Sequence, residues 1–445
     1  MSDTLYDAVV VGAGMAGLTS AAYLSRAGKK VLLIEKNDEV GGLVNSFSRN
    51  GFRFDAGVRA LEDAGIIRPM MKDLGIELET VPSPVSLGIE GEILDIEGLE
   101  SLDGYRELLK RFYPGSGGEI DALIKIIRKI MKHMDVLYGI ENPMFKDLRR
   151  DWNFLFGTLL PWFPRFLATV GRINRMQYPV EDYLASVITN PSLRDIVSQH
   201  FFQNTPTFFA LSYFSLYLDY FYFKGGVGRL SEALRDKILE RGGEVRTGTR
   251  VTALSCADRR VTDDKGGRYS YRSLVWASDL KTLYGMIEPD ALPPGIRAEF
   301  ENKKAEILAA GTSESVFTLF LEVDEPLESF RKIAHGHFFY TPSRRGLGRT
   351  HRSELADLLK NIDPVDMTEL HSWLDRFTAL NTYEISVPGL KDGDMVPPGK
   401  TGVIVSFLAE YELFKKVEEA GLLGELRSEE RHVGKECRSR WWTYH

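Results

Sequence analysis

Tyr6-Asp7-Ala8-Val9-Val10-Val11-Gly12-Ala13-Gly14-Met15-Ala16-Gly17 carries a short apolar run straight into G-x-G-x-x-G. Residues 6–11 read as a buried strand, residues 15–26 as a helix and residues 30–35 as a second buried strand. Together they make a β-α-β unit. Each glycine has a separate physical task. Gly12 makes the tight turn, Gly14 lets backbone approach a pyrophosphate, and Gly17 lets the helix lie close to the strand. Met15 and Ala16 sit where the N–H groups of a helix N-terminus meet phosphate. Glu35 lies 18 residues after Gly17, at the end of the second strand, and Lys36 follows it. A carboxylate there suits ribose hydroxyls and repels a 2′-phosphate, which argues against NADP. The hexapeptide alone is a weak signal. With both strands, the helix and the acid it specifies a dinucleotide site, and at this point FAD and NAD both remain open.

The rest of the chain is compatible with a large globular protein. At 445 residues, two or three folding units are expected. A hydrophobic fraction of 43% with 27% charged residues excludes disordered, collagenous and disulfide-stapled classes. A net charge of −7 gives no basic field for nucleic acid. Cys256 and Cys437 are the only cysteines, so no disulfide framework or cysteine metal site follows, and a reducing compartment is expected. Residues 1–6 lack a basic leader, which points to a cytoplasmic protein. No run approaches the ~18 apolar residues of a membrane span, and the best, 154–163, is expected to break at Pro161.

Further along, residues 51–57 read as a strand entering a turn, 63–76 as a helix and 84–97 as a strand pair. Residues 102–223 look mostly helical and rich in aromatics, and 225–241 look like a helix with a glycine-rich start. Strands are expected at 243–254, 268–276, 315–323, 338–341, 383–387 and 402–408.

Downstream glycines discriminate between the dinucleotides. Gly41-Gly42 follows the ribose acid, and Gly51-Phe52-Arg53-Phe54-Asp55-Ala56-Gly57 follows that pair. In these features the chain resembles the FAD-dependent family of phytoene desaturases, carotenoid isomerases and retinol saturases and, more distantly, amine oxidases. Tyr222-Phe223-Lys224-Gly225-Gly226-Val227-Gly228 is similar to a later glycine segment of that family, with Phe223 where proline is common. Ala277-Ser278-Asp279 and the region from Val387 through Lys400 also resemble it, so the similarity covers most of residues 6–412.

The resemblance implies an α/β fold: a Rossmann-like FAD-binding domain built from discontinuous segments (1–75 and 215–290), with an inserted α+β substrate domain (76–214 and 291–426) that faces a membrane. Gly41 and Gly42 would pass close to the dinucleotide, Gly57 and Val58 would approach the isoalloxazine, Val251 would lie under the adenine, and Ala277 would end a strand beside the turn. Asp55 either contacts the cofactor or caps its turn. The family closes its flavin site with a C-terminal glycine-rich element that has no match in 409–445, so truncation is expected. Residues 427–445 read as non-native read-through, with a natural basic tail as the alternative.

Flavin chemistry on carbon needs a hydride acceptor and a positioned substrate, so no triad is expected. No metal-ligand spacing is evident. His335 and His337 are expected as a half-buried structural pair. Arg59 is the candidate flavin-proximal charge, with a surface salt bridge as the alternative, and Glu62 follows it. Two aromatic clusters, at 152–166 and 201–222, suggest a ring-lined apolar tunnel for a lipophilic substrate. Lys146, Arg149, Arg150, Arg165, Arg172 and Arg175 surround the first cluster, as in an interfacial helix or, alternatively, a solvated helix face. The expected activity is hydride transfer between FAD and a polyene or isoprenoid. An amine oxidase-like enzyme and a non-catalytic or inactive truncated binder stand as alternatives. Oligomeric state is not legible.

Overall fold

The computed structural model describes residues 4–289, 292–311, 314–362 and 366–422. Its first sheet has six strands, in spatial order Val251–Ser255, Arg260–Asp263, Arg268–Trp276, Leu5–Val11, Val31–Ile34 and Glu244–Arg246. The last four run parallel, with Val11 opposite Ile34 on one side and Trp276 on the other. The remaining two form an antiparallel meander. The chain order across the parallel part reverses at Leu5–Val11, so the crevice outside that strand's C-terminal end is the topological switch point where dinucleotides bind.

Leu5–Val11 sits centrally because its apolar side chains serve both faces. Val10 packs with Leu18, Ala21 and Ala22 of the helix Met15–Arg26 and with Leu230, Leu234 and Ile238 of the helix Gly228–Glu240. Tyr6, Val9 and Val11 meet Leu32, Ile34, Val251 and Val261 on the opposite face. Small residues on the first helix let it approach the sheet: a Cβ on Gly17 would fall 1.8 Å from the Gly12 carbonyl oxygen.

The second sheet runs Ser315–Val323, Thr401–Ala409, Tyr383–Ser386, His337–Thr341, Val85–Ile89 and Glu92–Ile96. Its pairs are antiparallel except Val85–Ile89 with His337–Thr341. The helices Ser101–Phe112, Gly117–Tyr138 and Thr207–Asp219 bury Leu108, Leu123, Ile127, Leu211 and Phe214 in one core with Val85 and Ile89. The α/β class with a Rossmann-like sheet from separated segments is therefore what the chain adopts.

Several local expectations change. The stretch read as helical to residue 223 ends earlier, because Phe221–Phe223 is a strand paired with Thr80–Pro82. The strand read over 243–254 is two: Gly248, at φ +56°, turns the chain between Glu244–Arg246 and Val251–Ser255. Pro161 does not break its helix. The helical run Trp152–Met176 is 25 residues long and apolar and long enough to cross a membrane, at a mean hydropathy of 1.2. A π-turn, Leu155–Leu159, precedes Pro161, which falls in the first turn of Leu160–Ile173. The backbone is already helical at Leu159 and Leu160, so Pro161 sits inside a continuous run, where the π-turn changes the hydrogen-bond register just ahead of it. Residues 427–445, with Cys437, lie outside the described residues.

Candidate functional site

The glycine motifs, distant in sequence, converge on one cradle. Gly12 has φ +98°, and a Cβ there would meet the Ala277 carbonyl oxygen at 2.6 Å. The Ala277 N–H donates to the Val11 carbonyl at 2.8 Å, which holds the end of Arg268–Trp276 beside the turn. Gly41 donates its N–H to the Ala13 carbonyl at 2.7 Å. Gly42, at φ +57°, would place a Cβ 3.2 Å from Gly14 Cα. The double glycine thus crosses directly beside the phosphate-binding turn. Gly57 is close behind, since a Cβ on it would strike the Leu43 carbonyl oxygen at 2.2 Å, and the Val58 N–H donates to that same carbonyl.

Gly14 differs from its neighbours. It is the N-cap of Met15–Arg26, no side chain caps that helix, and a Cβ added to Gly14 meets nothing within 4 Å. The N–H groups of the first helical turn, from Met15 and Ala16 onward, therefore have no intrahelical partner, and the space beside Gly14 is open. Glu35 is buried at the end of its strand. One carboxylate oxygen accepts from the Ala13 N–H at 2.7 Å, the other from the Asn37 N–H at 2.9 Å. Each oxygen keeps a lone pair for a further donor such as a ribose hydroxyl. The Thr249 N–H donates to the Glu35 carbonyl at 2.9 Å, which brings buried Val251 alongside. Lys36 is exposed beside Glu35. An anion-binding helix end, space for phosphate and an acid for ribose fit a flavin dinucleotide.

Asp55 neither caps its own turn nor sits at the surface. It is fully buried and accepts hydrogen bonds from Ser46 Oγ (2.8 Å), the Tyr222 hydroxyl (2.5 Å) and the Val227 N–H (3.0 Å). This carboxylate ties the strands Ser46–Arg49 and Phe52–Asp55 to the Tyr222–Gly228 segment. Burial first, then the nearby Asp55 charge, drive the Tyr222 phenol far above its ordinary range. Sequence reading missed Ser46 and Tyr222 in this role. The repeated Gly225-Gly226 was the available signal: at φ +101°, Gly226 would put a Cβ 2.5 Å from Ser46 Oγ.

Arg59 is not a surface salt bridge. It is buried, its Nη1 donates to the backbone carbonyls of Asp55 (2.7 Å) and Gly57, and its Nη2 donates to Ser406 Oγ at 3.0 Å. It stitches the Gly57 turn to the second sheet. Lys391, unnoticed in sequence, donates to the Arg59 carbonyl at 2.6 Å and to Ser386 Oγ at 3.1 Å. Loss of hydration pushes its amine down to about 8. Glu62 is half-buried, its carboxyl raised by burial and then by Asp219, and its charge in turn raises the Tyr213 and Tyr220 phenols.

The two histidines expected as a pair separate. His337 is buried and its Nε2 lies 3.0 Å from Glu384 Oε1, whereas His335 is half-buried, 3.7 Å from Asp95. Burial holds the His337 imidazole below its ordinary range. Burial also works against ionised Glu384, but His337, Arg59 and Lys391 together bring that carboxyl below its usual value.

His337 stacks on the Tyr220 ring at 5.5 Å and on the Phe339 ring at 5.1 Å, and Phe339 in turn lies 5.4 Å from Tyr217. Tyr217 and Phe339 line an apolar cavity of about 70 Å³ together with Ile127, His200, Phe201 and Tyr213. From the Gly57 turn, hydrogen bonds lead through Arg59 to Lys391, the Lys391 charge acts on Glu384, and Glu384 pairs with His337, which stacks on Phe339 at the cavity wall. Among the described residues, no group of three or more His, Cys, Asp or Glu side chains is placed to hold a metal.

The family model for flavin containing amine oxidoreductases matches residues 15–417. The chain belongs to this family. The family is a flavin-containing one, and the cofactor is FAD. Within the family, the relatives bear out the resemblance to the phytoene desaturase-like branch. The 4,4'-diapolycopene oxygenase of Methylomonas sp is 26% identical over 76% of this chain and 66% of its own length. An all-trans-retinol 13,14-reductase of Danio rerio is 25% identical over 54% of this chain and 40% of its own. The chain thus matches about two thirds of the first relative and two fifths of the second. Among solved structures, an oxidoreductase from Methanosarcina mazei superposes with a TM-score of 0.61 at 16% identity, covering 98% of this chain and 86% of that one. That likeness concerns the fold.

Proposed function

We propose that this flavoprotein transfers hydride between FAD and a lipophilic polyene or isoprenoid, in a desaturation, a saturation or an isomerisation. Bound flavin supplies the hydride-accepting and hydride-donating chemistry. The protein's part is to hold and exclude. The helix start at Met15 and Ala16 and the glycines at 12, 14, 17, 41 and 42 would hold the diphosphate. Glu35, with Lys36 beside it, would hold the ribose. Val251 and Ala277 would border the adenine side, and Gly57, Val58 and Arg59 the ring side. We assign 1–75 and 215–290 to flavin binding and 76–214 and 291–426 to the substrate.

The observation that carries this reading is the apolar cavity, linked to the Gly57 turn through Arg59, Lys391, Glu384 and His337. Among its described lining residues there is no carboxylate to pair with a substrate amine, which disfavours an amine oxidase-like activity on a polar amine. The names of the relatives quoted above, which act on diapolycopene and retinol, support a polyene or retinoid substrate. The same reading makes the protein cytoplasmic, resting on a bilayer through the exposed helical run Trp152–Met176.

The test is spectroscopic. Anaerobically, oxidised FAD-loaded protein should bleach with an isoprenoid that it desaturates, prereduced protein should regain its yellow colour with a polyene that it saturates, and a polyene that it isomerises should change its own absorption spectrum; bleaching by simple amines alone would overturn the proposal. Gly14→Val should fold, because the protein leaves space for the new side chain. It should lose nearly all bound FAD, because that space is where the diphosphate belongs. Unchanged flavin content would remove the assigned turn from the site.

A further inference from the structure

One face of the second sheet has an apolar end and a polar end. Side chains two apart along a strand share a face, as do those directly opposite on paired strands. Phe339 and Thr341 line the cavity, so His337 stands on their face, at the next position along His337–Thr341. Phe339 pairs with Glu384 of Tyr383–Ser386, and Glu384 pairs with Ser406 of Thr401–Ala409. The polar end therefore gathers His337, Glu384, Ser386 and Ser406, where Arg59 donates to Ser406 and Lys391 to Ser386. Within it the His337 imidazole is committed on one side only. Its Nε2 lies 3.0 Å from Glu384 Oε1, while Nδ1 is buried with no hydrogen-bond partner among the described residues. A polar atom so enclosed is costly unless something comes to fill its place.

From this arrangement we propose that His337 exchanges the proton that accompanies hydride transfer, with Nδ1 as the reacting atom and Glu384 as the positioning residue behind it. This rests on the hydride-transfer reading above and gives it a catalytic residue. Making a double bond between two neighbouring saturated carbons removes a hydride from one and a proton from the other. The hydride leaves with its electron pair to FAD. At the second carbon the C–H bond breaks, its electron pair becomes the π bond, and the proton forms an N–H bond at Nδ1. Saturation runs the same steps backwards. Burial holds the imidazole below its ordinary range, so the ring is neutral near neutral pH and can act as a base. A carboxylate only accepts, so Nε2 carries the proton and the Nδ1 lone pair is left free. The same carboxylate stabilises the imidazolium that forms. Glu384 stays ionised because His337, Arg59 and Lys391 outweigh its loss of hydration. The groups facing His337 are Glu384, Lys391, Arg59 and the Tyr220 ring, stacked at 5.5 Å. Other groups at the cavity serve less well. Burial first keeps the Tyr213 and Tyr217 phenols protonated, and His200 lies against the Phe201 ring at 3.9 Å with no carboxylate hydrogen-bonded to it among the described residues.

The experiment has two arms, both on the FAD-loaded full chain. In the first, stopped-flow absorbance follows whichever half-reaction wild type performs, bleaching by phytoene or recolouring of prereduced protein by retinol, as a function of pH. With His337 as base, the bleaching rate should rise with pH through the imidazole titration; with His337 as acid, the recolouring rate should fall through it. His337→Gln, whose amide can still donate to Glu384, should slow the step about 100-fold or more and abolish that limb, with FAD content unchanged. Glu384 raises the His337 affinity for protons, so Glu384→Gln should move the limb to lower pH. In the second arm, nuclear magnetic resonance of isotope-labelled histidine nitrogens reads the tautomer without any substrate. Wild type should show His337 neutral near neutral pH, with its proton on Nε2. An Nδ1–H tautomer, a limb that survives in His337→Gln, or a rate within threefold of wild type would each overturn the proposal. If His337→Gln does not fold, the Glu384→Gln shift and the tautomer decide it. Wild type that holds flavin and performs neither half-reaction removes the functional reading and this inference with it; wild-type rates in His337→Gln remove this inference alone.

Discussion

The helix Thr207–Asp219 and the helical run Trp152–Met176 are both rich in aromatic rings, and they do opposite things. In the first, Phe214 and Tyr217 are each 5% exposed and form one wall of the cavity. In the second, Trp152, Phe156, Leu160, Phe163 and Leu167 recur every three or four residues and are 46–61% exposed. That spacing puts them on one face. The run is tied to the body of the protein from the other side, where Trp162 Nε1 donates to the Val136 carbonyl at 2.6 Å and Ile173 is buried. Composition does not separate an inward ring from an outward one. A contiguous exposed apolar stripe on a folded protein marks a contact surface. Arg165 within the run and Arg172 near its end suit a helix lying on a charged surface better than one crossing a bilayer.

If the inner helix is structural core and cavity wall, Phe214→Ala should destabilise the protein by about 3–5 kcal/mol, as large-to-small core substitutions do. Urea unfolding reads this directly, and a loss under 1 kcal/mol would mean the inner wall is loosely packed. A second, smaller effect concerns acid. The folded His200 imidazole is lowered to about 4 from its ordinary 6.5. The unfolded chain therefore binds this proton first, and stability attributable to His200 is intact above pH 6.5 and declines as pH falls toward 4. Wild type should lose stability across that window more steeply than His200→Phe. Parallel slopes would show that the imidazole is hydrated and that the cavity is not dry.

The smallest effect is expected on the outer face. Phe156→Ser combined with Leu167→Ser should leave unfolding free energy within about 0.5 kcal/mol and FAD content unchanged, while reducing flotation with anionic phospholipid vesicles. A large destabilisation would instead make the outer stripe part of the fold, and the contrast between the two helices would collapse.

The nucleotide half was largely legible because its signals are local. The near-continuous apolar run in Leu5–Val11, and a left-handed backbone at Gly12, Gly41 and Gly42, follow from residue type and short-range sterics. The reading was weaker where several partners compete. Asp55 read as either a cofactor contact or a turn cap, and it binds Tyr222 and Val227, residues 167 and 172 positions away. Arg59 looked equally suited to a surface ion pair, yet packing buries it against Ser406. His335 and His337 looked like neighbours with a shared task, but a one-strand pairing gives His337 to Glu384 and leaves His335 near Asp95. Pro161 looked like a helix breaker, and the preceding π-turn accommodates it.

Residue order alone was enough for the β-α-β unit, the dinucleotide turn and the flavin family, since each depends on backbone conformations that glycine permits and on periodicities that repeat within a dozen residues. Only the folded chain decided which aromatic rings enclose a cavity and which face outward, and that Lys391, Glu384 and His337 link the Gly57 turn to the cavity wall. Those facts depend on contacts between segments far apart in sequence, where burial and hydrogen-bond satisfaction outweigh any local preference.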